Sequence, residues 1–158
     1  LIPIPVVLLD AYFETVPCNC VLLNNVQGAY LAARHLIRTC KTQPGYLHSA
    51  YPISNFAERS SGFYKAVRAA GMSSSRSIVH KLTPSMEGAY ADMMELIKNG
   101  EELAPCYFAD NDLIAVGAIK ALKEADTGSP RISESSDLIT SLWACLLYTS
   151  PSPRDYAA

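Results

Sequence analysis

The sequence predicts an α/β protein with a doubly wound parallel sheet, and three of its features support this fold class. Short β-rich runs alternate with longer segments of helical spacing as far as residue 124. The first two β-rich runs stop at polar residues, and two of the helical segments end at a glycine. Such an alternation is typical of a parallel sheet with helices on both faces, in which ligands bind at the carboxyl ends of the strands.

Five short runs are the predicted strands because they are rich in apolar, β-branched and aromatic residues. In chain order they are residues 5–10 (PVVLLD), 20–25 (CVLLNN), 44–50 (PGYLHSA), 77–82 (SIVHKL) and 105–109 (PCYFA). The polar residues at their ends should lie along one edge of the sheet, where a ligand would bind.

Four segments with apolar residues at helical spacing are the predicted helices. They are residues 28–40, 55–71, 83–100 and 110–124. Gly71 and Gly100 are expected to stop the second and third helices. Thr83 is the expected N-cap of the third helix, with Pro84 at its first position.

Length and composition fit one globular domain with a hydrophobic core. The 158 residues are 49 % hydrophobic and 18 % charged, and the net charge of −2 gives no footprint for nucleic acid. The first apolar run, LIPIPVVLL, is interrupted by proline, is far too short to span a membrane and lacks the basic flank of a signal peptide. The chain does not begin with Met, so the question of an upstream targeting segment stays open.

Neither a metal site nor catalysis is indicated by the sequence. The five cysteines include no Cys-x-x-Cys pair, and the three histidines have no partner at metal-ligand spacing. We therefore interpret the cysteines as small buried or free thiols in a reducing cytosol. No dinucleotide-binding or phosphate-binding loop follows a strand, so the sequence predicts no cofactor and no enzyme.

Arg59 is the first candidate binding residue. Its helix has an apolar stripe that includes Phe56 and Phe63, and Arg59 falls on the same inward side near the start of the helix. A buried arginine is costly unless it is paired, so its planar fork of donors could point into a cleft. The alternatives are an arginine that reaches the rim, or one that pairs with Glu58 or Asp112.

Two other polar groups stand at helix starts, and each has a structural and a binding interpretation. Asn55 begins the second helix and, with Glu58 three residues later, resembles a capping box. The stretch 109–112 (ADND) opens the fourth helix, where Asp and Asn are favoured caps. Three consecutive polar residues exceed what a cap needs, which favours additional hydrogen bonds to a hydroxylated ligand.

Several segments resemble, in order and spacing, the LacI/GalR family of bacterial transcription regulators. The segments are IPVVLLD, VLLNNVQGAYLAARHLI, GYLHS, NFAERSSGFYKAV, PSMEGAY and YFADNDLIAVGAIKALKE. The most specific of them contain ER-x-x-GF and ADNDLIA-x-GA. The resemblance implies the effector-binding core of such a regulator, which shares the type I fold of periplasmic sugar-binding proteins.

The resemblance also implies roles for five residues. Arg59 matches the effector-contacting arginine of the family, and Asn55 stands at the position four residues before it. Asn111 matches another contact, with Asp112 beside it. Asp10 ends a strand near the cleft and the crossover between two subdomains. This polar set suits the hydroxyls of a sugar or related polyol, and it would also suit a carboxylate or a purine.

The family pattern further implies that this chain carries part of a regulator. We expect residues 1–17 to end the first sensor subdomain and form the crossover, and residues 18–124 to form most of the second subdomain. The helix-turn-helix head is expected outside this chain, so operator DNA would be a partner only of the intact protein, a cytoplasmic homodimer. A periplasmic or lipoprotein sugar receptor is the alternative.

The end of the chain departs from the family pattern, which continues approximately as GYRIPEDISVIGFDN. Residues 126–139 read DTGSPRISESSDLI, and a shift of reading frame near Ala125 permits nearly all of the family segment. Residues 145–155 (CLLYTSPSPRD) permit a back-translation that resembles the transposon-end adapter of sequencing libraries. We therefore expect residues 125–144 to be out of frame, which removes a strand from the sheet, and residues 145–158 to be adapter. A natural Ser/Pro-rich disordered tail is the alternative.

Overall fold

The computed structural model describes residues 4–13 and 15–126. The strands are β1 (Val7–Leu9), β2 (Asn19–Val21), β3 (Gly45–Ser49), β4 (Val79–Leu82) and β5 (Tyr107–Ala109). The helices are α1 (Asn25–Cys40), α2 (Ser54–Ala69), α3 (Met86–Lys98) and α4 (Asp112–Asp126), with one 3-10 turn at Ser74–Arg76. The expected frameshifted segment from residue 127 onward and the expected adapter segment lie outside the described residues. The subdomain boundary after residue 17 stays a prediction.

The strand pairings among the described residues are all parallel, as the alternation predicts. β3 is the centre of a three-stranded sheet in the order β4–β3–β5, and β1 pairs with β2 in a separate two-stranded sheet. The chain passes from β3 to β4 through α2 and then returns across β3 to β5 through α3. Because such crossovers are right-handed, this reversal of direction places α2 and α3 on opposite faces of the sheet. The doubly wound α/β class is confirmed.

An aromatic cluster forms the centre of the core. Tyr46 of β3, Phe63 of α2 and Phe108 of β5 are almost completely buried. The ring centroid of Tyr46 lies 4.8 Å from that of Phe63 and 5.3 Å from that of Phe108. Aromatic pairs at these separations stabilise a core beyond the area that they bury. The cluster therefore fixes α2 against the central strand, and α2 is the helix that carries Asn55 and Arg59.

Two glycines allow the helices to pack closely in pairs. A Cβ atom at Gly62 of α2 would lie 2.2 Å from the carbonyl oxygen of Val26 in α1. A Cβ atom at Gly117 of α4 would lie 2.4 Å from the carbonyl oxygen of Met86 in α3. Real Cβ atoms do not approach backbone oxygens this closely, so glycine is what permits the α1–α2 and α3–α4 distances.

Two of the predicted N-caps are wrong, and α1 begins before its predicted start, at Asn25. Ser85 is the N-cap of α3 in place of Thr83, and its hydroxyl accepts a hydrogen bond from the Gly88 N–H at 3.1 Å. Asn55 is not an N-cap, because α2 begins after Ile53, whose side chain makes no capping hydrogen bond. The capping box at the start of α2 is therefore absent, and the Asn55 side chain forms its hydrogen bond elsewhere.

The predicted ends of the second and third helices are confirmed. Gly71 has a φ of +74° and Gly100 a φ of +70°, and each follows the last turn of its helix. A positive φ suits glycine, which has no Cβ to clash. Among the residues that the structure describes, none of the helices has the length and apolar character needed to cross a membrane.

Candidate functional site

Helix α2 carries two of the predicted binding residues on one face. Asn55 and Arg59 are four residues apart, a spacing at which helical side chains are neighbours. Both side chains are half-buried, whereas Phe56 between them is buried in the core. The guanidinium carbon of Arg59 lies 5.7 Å from the centroid of the Phe56 ring. The apolar packing of α2 therefore holds Asn55 and Arg59 beside the carboxyl end of β3.

Arg59 joins two elements that precede and follow it in the chain. Its Nε atom donates to Oδ1 of Asn25 at 2.9 Å, and its Nη1 atom donates to the backbone carbonyl of Asp110. Asn25 is the first residue of α1, and its Nδ2 atom donates to Oε2 of Glu58 at 2.9 Å. Glu58 thus reaches Arg59 through Asn25 and not as a direct ion pair. These contacts orient the guanidinium while using two of its five N–H donors.

Asp110 follows β5 and is completely buried. Its Oδ2 atom accepts from the Ser49 N–H at 2.7 Å and lies 2.6 Å from Nδ1 of His48. Its Oδ1 atom accepts from the hydroxyl of Tyr46. All three partners belong to β3, and an ionised carboxylate only accepts, so His48 then carries a proton on Nδ1. This clamp fixes the Asp110 peptide, whose carbonyl oxygen holds Arg59.

Burial sets the protonation of this cluster. Burial raises the pKa of Asp110 above its ordinary value, although the hydrogen bonds from Tyr46 and Ser49 and the nearby His48 act in the opposite direction. Burial and the adjacent Asp110 carboxylate raise the pKa of Tyr46, so its phenol remains protonated and continues to donate. Within this pair, the Tyr46 phenol thus stays protonated, and Asp110 is the group whose charge changes with pH.

Asn111 caps α4, as one of its two interpretations predicts. Its Oδ1 atom accepts from the Ile114 N–H at 2.9 Å, and its carbonyl oxygen accepts from the Ala115 N–H at 3.1 Å. The cap uses the amide oxygen, and the Nδ2 donors take no part in that bond. Asp112, also half-buried, is the first residue of α4. The binding roles of Asn111 and Asp112 stay predictions.

Asp10 and Asn55 lie together where β1 of the separate two-stranded sheet ends. Asp10 follows β1 with a φ of +56°, and its N–H donates to the carbonyl of Val21 at 2.9 Å. Its own carbonyl oxygen accepts from Nδ2 of Asn55 at 3.3 Å. A left-handed conformation is uncommon for residues other than glycine, and Asp is among those that tolerate it. The contact with Asn55 uses the backbone of Asp10, which leaves its exposed carboxylate outside the contact.

The described residues offer no metal site, and their apolar pocket lies away from the predicted binding residues. Among residues 4–13 and 15–126, no group of three or more His, Cys, Asp or Glu side chains could hold a metal ion. A pocket of about 860 Å³ lies against β1 and β2 and contains none of the five predicted binding residues. Its lining is mostly apolar: Ile4, Pro5, Val6, Leu8, Phe13, Val16, Pro17, Cys18 and Asn19.

Three residues at the edge are absent from the predicted binding groups: Asn25, Tyr46 and His48. Asn25 falls at the end of a predicted strand. Asp110 lies in the ADND stretch, to which the sequence gives a capping and a ligand-binding interpretation, but its role as a buried clamp between strands is not predicted. The spacing of Tyr46 and His48 offered a signal, because residues two apart on a strand share a face. Two polar-tipped rings on one face of a buried strand require a polar partner, and Asp110 provides it.

The fold is that of the open α/β proteins, a class in which ligands sit at the carboxyl ends of the parallel strands. The chain belongs to the family of periplasmic binding proteins and sugar-binding domains of LacI-type regulators, whose family model matches residues 2–141.

Regulators of transcription are among its similar proteins. The HTH-type transcriptional regulator GalS of Salmonella typhimurium strain LT2 is 37 % identical over 112 residues, which cover 71 % of this chain and 33 % of GalS. GalR of Escherichia coli strain K12, also an HTH-type transcriptional regulator, is 34 % identical over 108 residues, which cover 67 % of this chain and 31 % of GalR. The chain thus spans about a third of the length of these curated relatives.

A solved structure gives the same result for the fold. A LacI family transcriptional regulator from Enterococcus faecium, crystallised with bound ribose, matches with a TM-score of 0.66 and 26 % identity. The match covers 77 % of this chain and 45 % of that chain.

Proposed function

We propose that this chain is part of the effector-sensing core of a LacI-type transcription regulator and that its ligand is a small, sugar-like molecule. The observation that carries the proposal is the half-buried Arg59, oriented by Asn25 and the Asp110 carbonyl at the edge where parallel sheets bind ligands. A guanidinium held in this way presents its remaining donors without further loss of side-chain freedom.

The proposed roles follow from donors and acceptors at this edge. Arg59 donates to two ligand oxygens, and Asn111 contributes the Nδ2 donors that its cap leaves over. Asn55 donates to a hydroxyl, and the carboxylates of Asp10 and Asp112 accept from hydroxyls. Both donors and acceptors are needed to bind a polyol, whose hydroxyls act in both ways. The family description, which includes sugar-binding domains, supports the same ligand class.

The regulatory output proposed here belongs to the intact protein. In it, a ligand bound between two α/β subdomains would favour a closed arrangement, and closure would alter how a homodimer presents its DNA-binding heads to an operator. The similarity to GalS and GalR supports this role over that of a periplasmic receptor. A regulator of this kind acts in the cytoplasm, and it performs no catalysis.

Ligand-observed saturation-transfer NMR on this 158-residue chain tests the proposal. The probes are single aldopentoses, including D-ribose, aldohexoses, sugar acids and purine bases, each at millimolar concentration. Because this chain carries most of only one of the two subdomains that would enclose the ligand, we expect an aldose to give weak saturation transfer that an excess of a second, competing aldose removes. Binding only of a purine or a sugar acid would replace the ligand class. The absence of binding by every probe, both to this chain and to the intact protein recovered from the source DNA, would contradict the sensing role.

Two matched variants test the site. Arg59→Lys keeps the charge but loses the planar fork, and we expect the dissociation constant to rise about tenfold or more. Arg68→Lys changes an exposed arginine in the last turn of the same helix and should leave binding unchanged. Equal binding by the parent chain and by Arg59→Lys would exclude Arg59 as a ligand contact, with ¹⁵N–¹H spectra used to establish that both variants are folded.

A further inference from the structure

Two cysteines that are distant in sequence lie side by side at the end of the sheet opposite the proposed ligand edge. Cys40 is the last residue of α1, and Cys106 directly precedes β5. Gly45, which starts β3 shortly after the end of α1, donates its N–H to the Cys106 carbonyl at 2.8 Å. The backbone therefore brings the end of α1 to the start of β5. The thiols of Cys40 and Cys106 are also in hydrogen-bonding contact with each other.

The two thiols have different surroundings. Cys106 is completely buried, and Cys40 is half-buried. Burial, with a smaller contribution from the neighbouring Cys40, raises the pKa of the Cys106 thiol well above its ordinary value. A buried, protonated thiol is unreactive by itself, whereas a thiol that solvent reaches can meet a small oxidant. An accessible thiol beside a second, resolving thiol is the arrangement of a redox-sensitive pair.

We propose that Cys40 and Cys106 form a reversible oxidation site, at which hydrogen peroxide converts the two thiols into an intramolecular disulfide. In the first step the Cys40 sulfur attacks one peroxide oxygen, which gives a Cys40 sulfenic acid and releases one water. In the second step the Cys106 thiol passes its proton to the sulfenic oxygen of Cys40 as its sulfur attacks the Cys40 sulfur, so the S–S bond forms, the S–O bond breaks and the hydroxyl leaves as a second water. Two thiols are oxidised by two electrons, one peroxide is reduced, and the two thiol protons leave in the two waters.

The position of the pair links it to Arg59. The helix that ends at Cys40 begins at Asn25, and the strand that Cys106 precedes is followed by Asp110. Asn25 and Asp110 are the two residues that hold Arg59. A disulfide would therefore covalently join the two elements whose other ends orient this guanidinium.

The test uses the full chain with Cys18, Cys20 and Cys145 replaced by serine, which leaves Cys40 and Cys106 as the two thiols. The folded protein is treated with stoichiometric hydrogen peroxide and then alkylated under denaturing conditions. We expect both thiols to be lost, the intact mass to fall by two hydrogen atoms, and proteolysis to give a Cys40–Cys106 cross-linked peptide that dithiothreitol separates.

Single substitutions in this background distinguish the two roles. With Cys106→Ser, Cys40 should form a sulfenic acid that dimedone traps, and with Cys40→Ser, Cys106 should remain unoxidised at the same peroxide concentration. Retention of both thiols would overturn the proposal. So would addition of oxygen to Cys40 without a cross-link in the background protein, or formation of disulfide-linked dimers only. None of these outcomes depends on whether the chain binds a sugar.

Discussion

The Oδ2 atom of Asp110 lies 2.6 Å from Nδ1 of His48, and this contact joins the carboxyl ends of β5 and β3. The carboxylate is completely buried, whereas about a quarter of the His48 side chain is exposed, at 26 %. The same oxygen also accepts from the Ser49 amide. The Asp110 carboxylate is therefore bonded by fixed donors of β3, and one of these donors, His48, is partly exposed to solvent.

Removal of the Asp110 side chain should strongly destabilise the fold. In Asp110→Ala the donors of Tyr46, His48 and Ser49 lose their acceptor, and an unsatisfied buried polar group costs about 1–3 kcal/mol. We expect a loss of about 3 kcal/mol or more in the free energy of unfolding, measured by urea denaturation.

Asp110→Asn is the matched control for this loss. The asparagine oxygen can accept from Ser49 and His48, and its amino group can donate to the Tyr46 hydroxyl, which also accepts. We expect a folded protein far closer in stability to the parent chain than the alanine variant. Equal destabilisation by both substitutions would mean that the negative charge, and not the acceptor geometry, holds the clamp together.

The stability difference between Asp110→Asn and the parent chain should depend on pH. Burial is the main reason that the pKa of Asp110 in the folded state lies above its ordinary value of 3.8. When the pKa of a group is higher in the folded than in the unfolded state, its protonated form stabilises the fold. The contribution of Asp110 to folding stability is therefore fully present below its pKa in the unfolded state and is lost as the pH rises through its pKa in the folded state. The free energy of unfolding of the asparagine variant, relative to that of the parent chain, should therefore be most favourable near neutral pH and less favourable near about pH 4.

Urea denaturation at these two pH values measures that difference when both proteins also carry His48→Gln, because the imidazole in contact with residue 110 is then absent and the remaining titrating groups are common to both. A difference that is independent of pH would show that Asp110 ionises with an unshifted pKa. A difference that favours the parent chain near neutral pH would reverse the sign of the shift.

Gly62→Ala should destabilise the α1–α2 pair. The added methyl group would lie 2.2 Å from the carbonyl oxygen of Val26, which is backbone and cannot rotate away. Overpacking of this kind costs about 1–3 kcal/mol, and the better helix propensity of alanine offsets part of it. Gly28→Ala is the control, because nothing lies within 4 Å of the position of its Cβ atom and alanine should stabilise α1 there. Thermal unfolding compares the two variants, and a Gly62→Ala protein as stable as Gly28→Ala would mean that the helices separate at little cost.

Resequencing the source DNA should recover a different protein sequence after Glu124. We predict one missing base near the Ala125 codon, and a repaired frame that encodes a strand ending in VIGFD. The expected out-of-frame segment, residues 125–144, lies almost wholly outside the described residues, so sequencing of the DNA is the direct test. A confirmed reading frame as printed would leave the Ser/Pro-rich tail as part of the natural protein.

The architecture could be predicted because it depends on local patterns that tertiary contacts did not override. The strands, the four helices and the stops at Gly71 and Gly100 follow from apolar spacing and from the tolerance of glycine for positive φ. The helix starts were less predictable. Ser85 and Thr83 are both favoured caps, and in the structure the Ser85 hydroxyl makes the capping bond while the Thr83 N–H donates to Oδ2 of Asp92.

The candidate site could be predicted only in part, for a similar reason. The inward position of Arg59 follows from the helical period, and the cap at Asn111 from its place before an apolar helix. The partners of Arg59 could not be predicted, because they are an amide 34 residues earlier in the chain and a peptide carbonyl 51 residues later. Such contacts depend on which strands become neighbours, and no local pattern encodes that order.

The glycines that bring the helices together belong to one packing unit that the chain uses twice. Gly62 meets Val26, Ala29 and Tyr30, and Gly117 meets Met86, Ala89 and Tyr90 at the same offsets along the partner helix. In each unit the lysine three residues after the glycine lies over the ring of the partner tyrosine: Lys65 over Tyr30 at 5.6 Å, and Lys120 over Tyr90 at 4.7 Å. The same packing unit thus joins α1 to α2 and α3 to α4. Because the two units share no residue, a substitution in one should leave the other intact, and the losses of stability from substitutions in both should add.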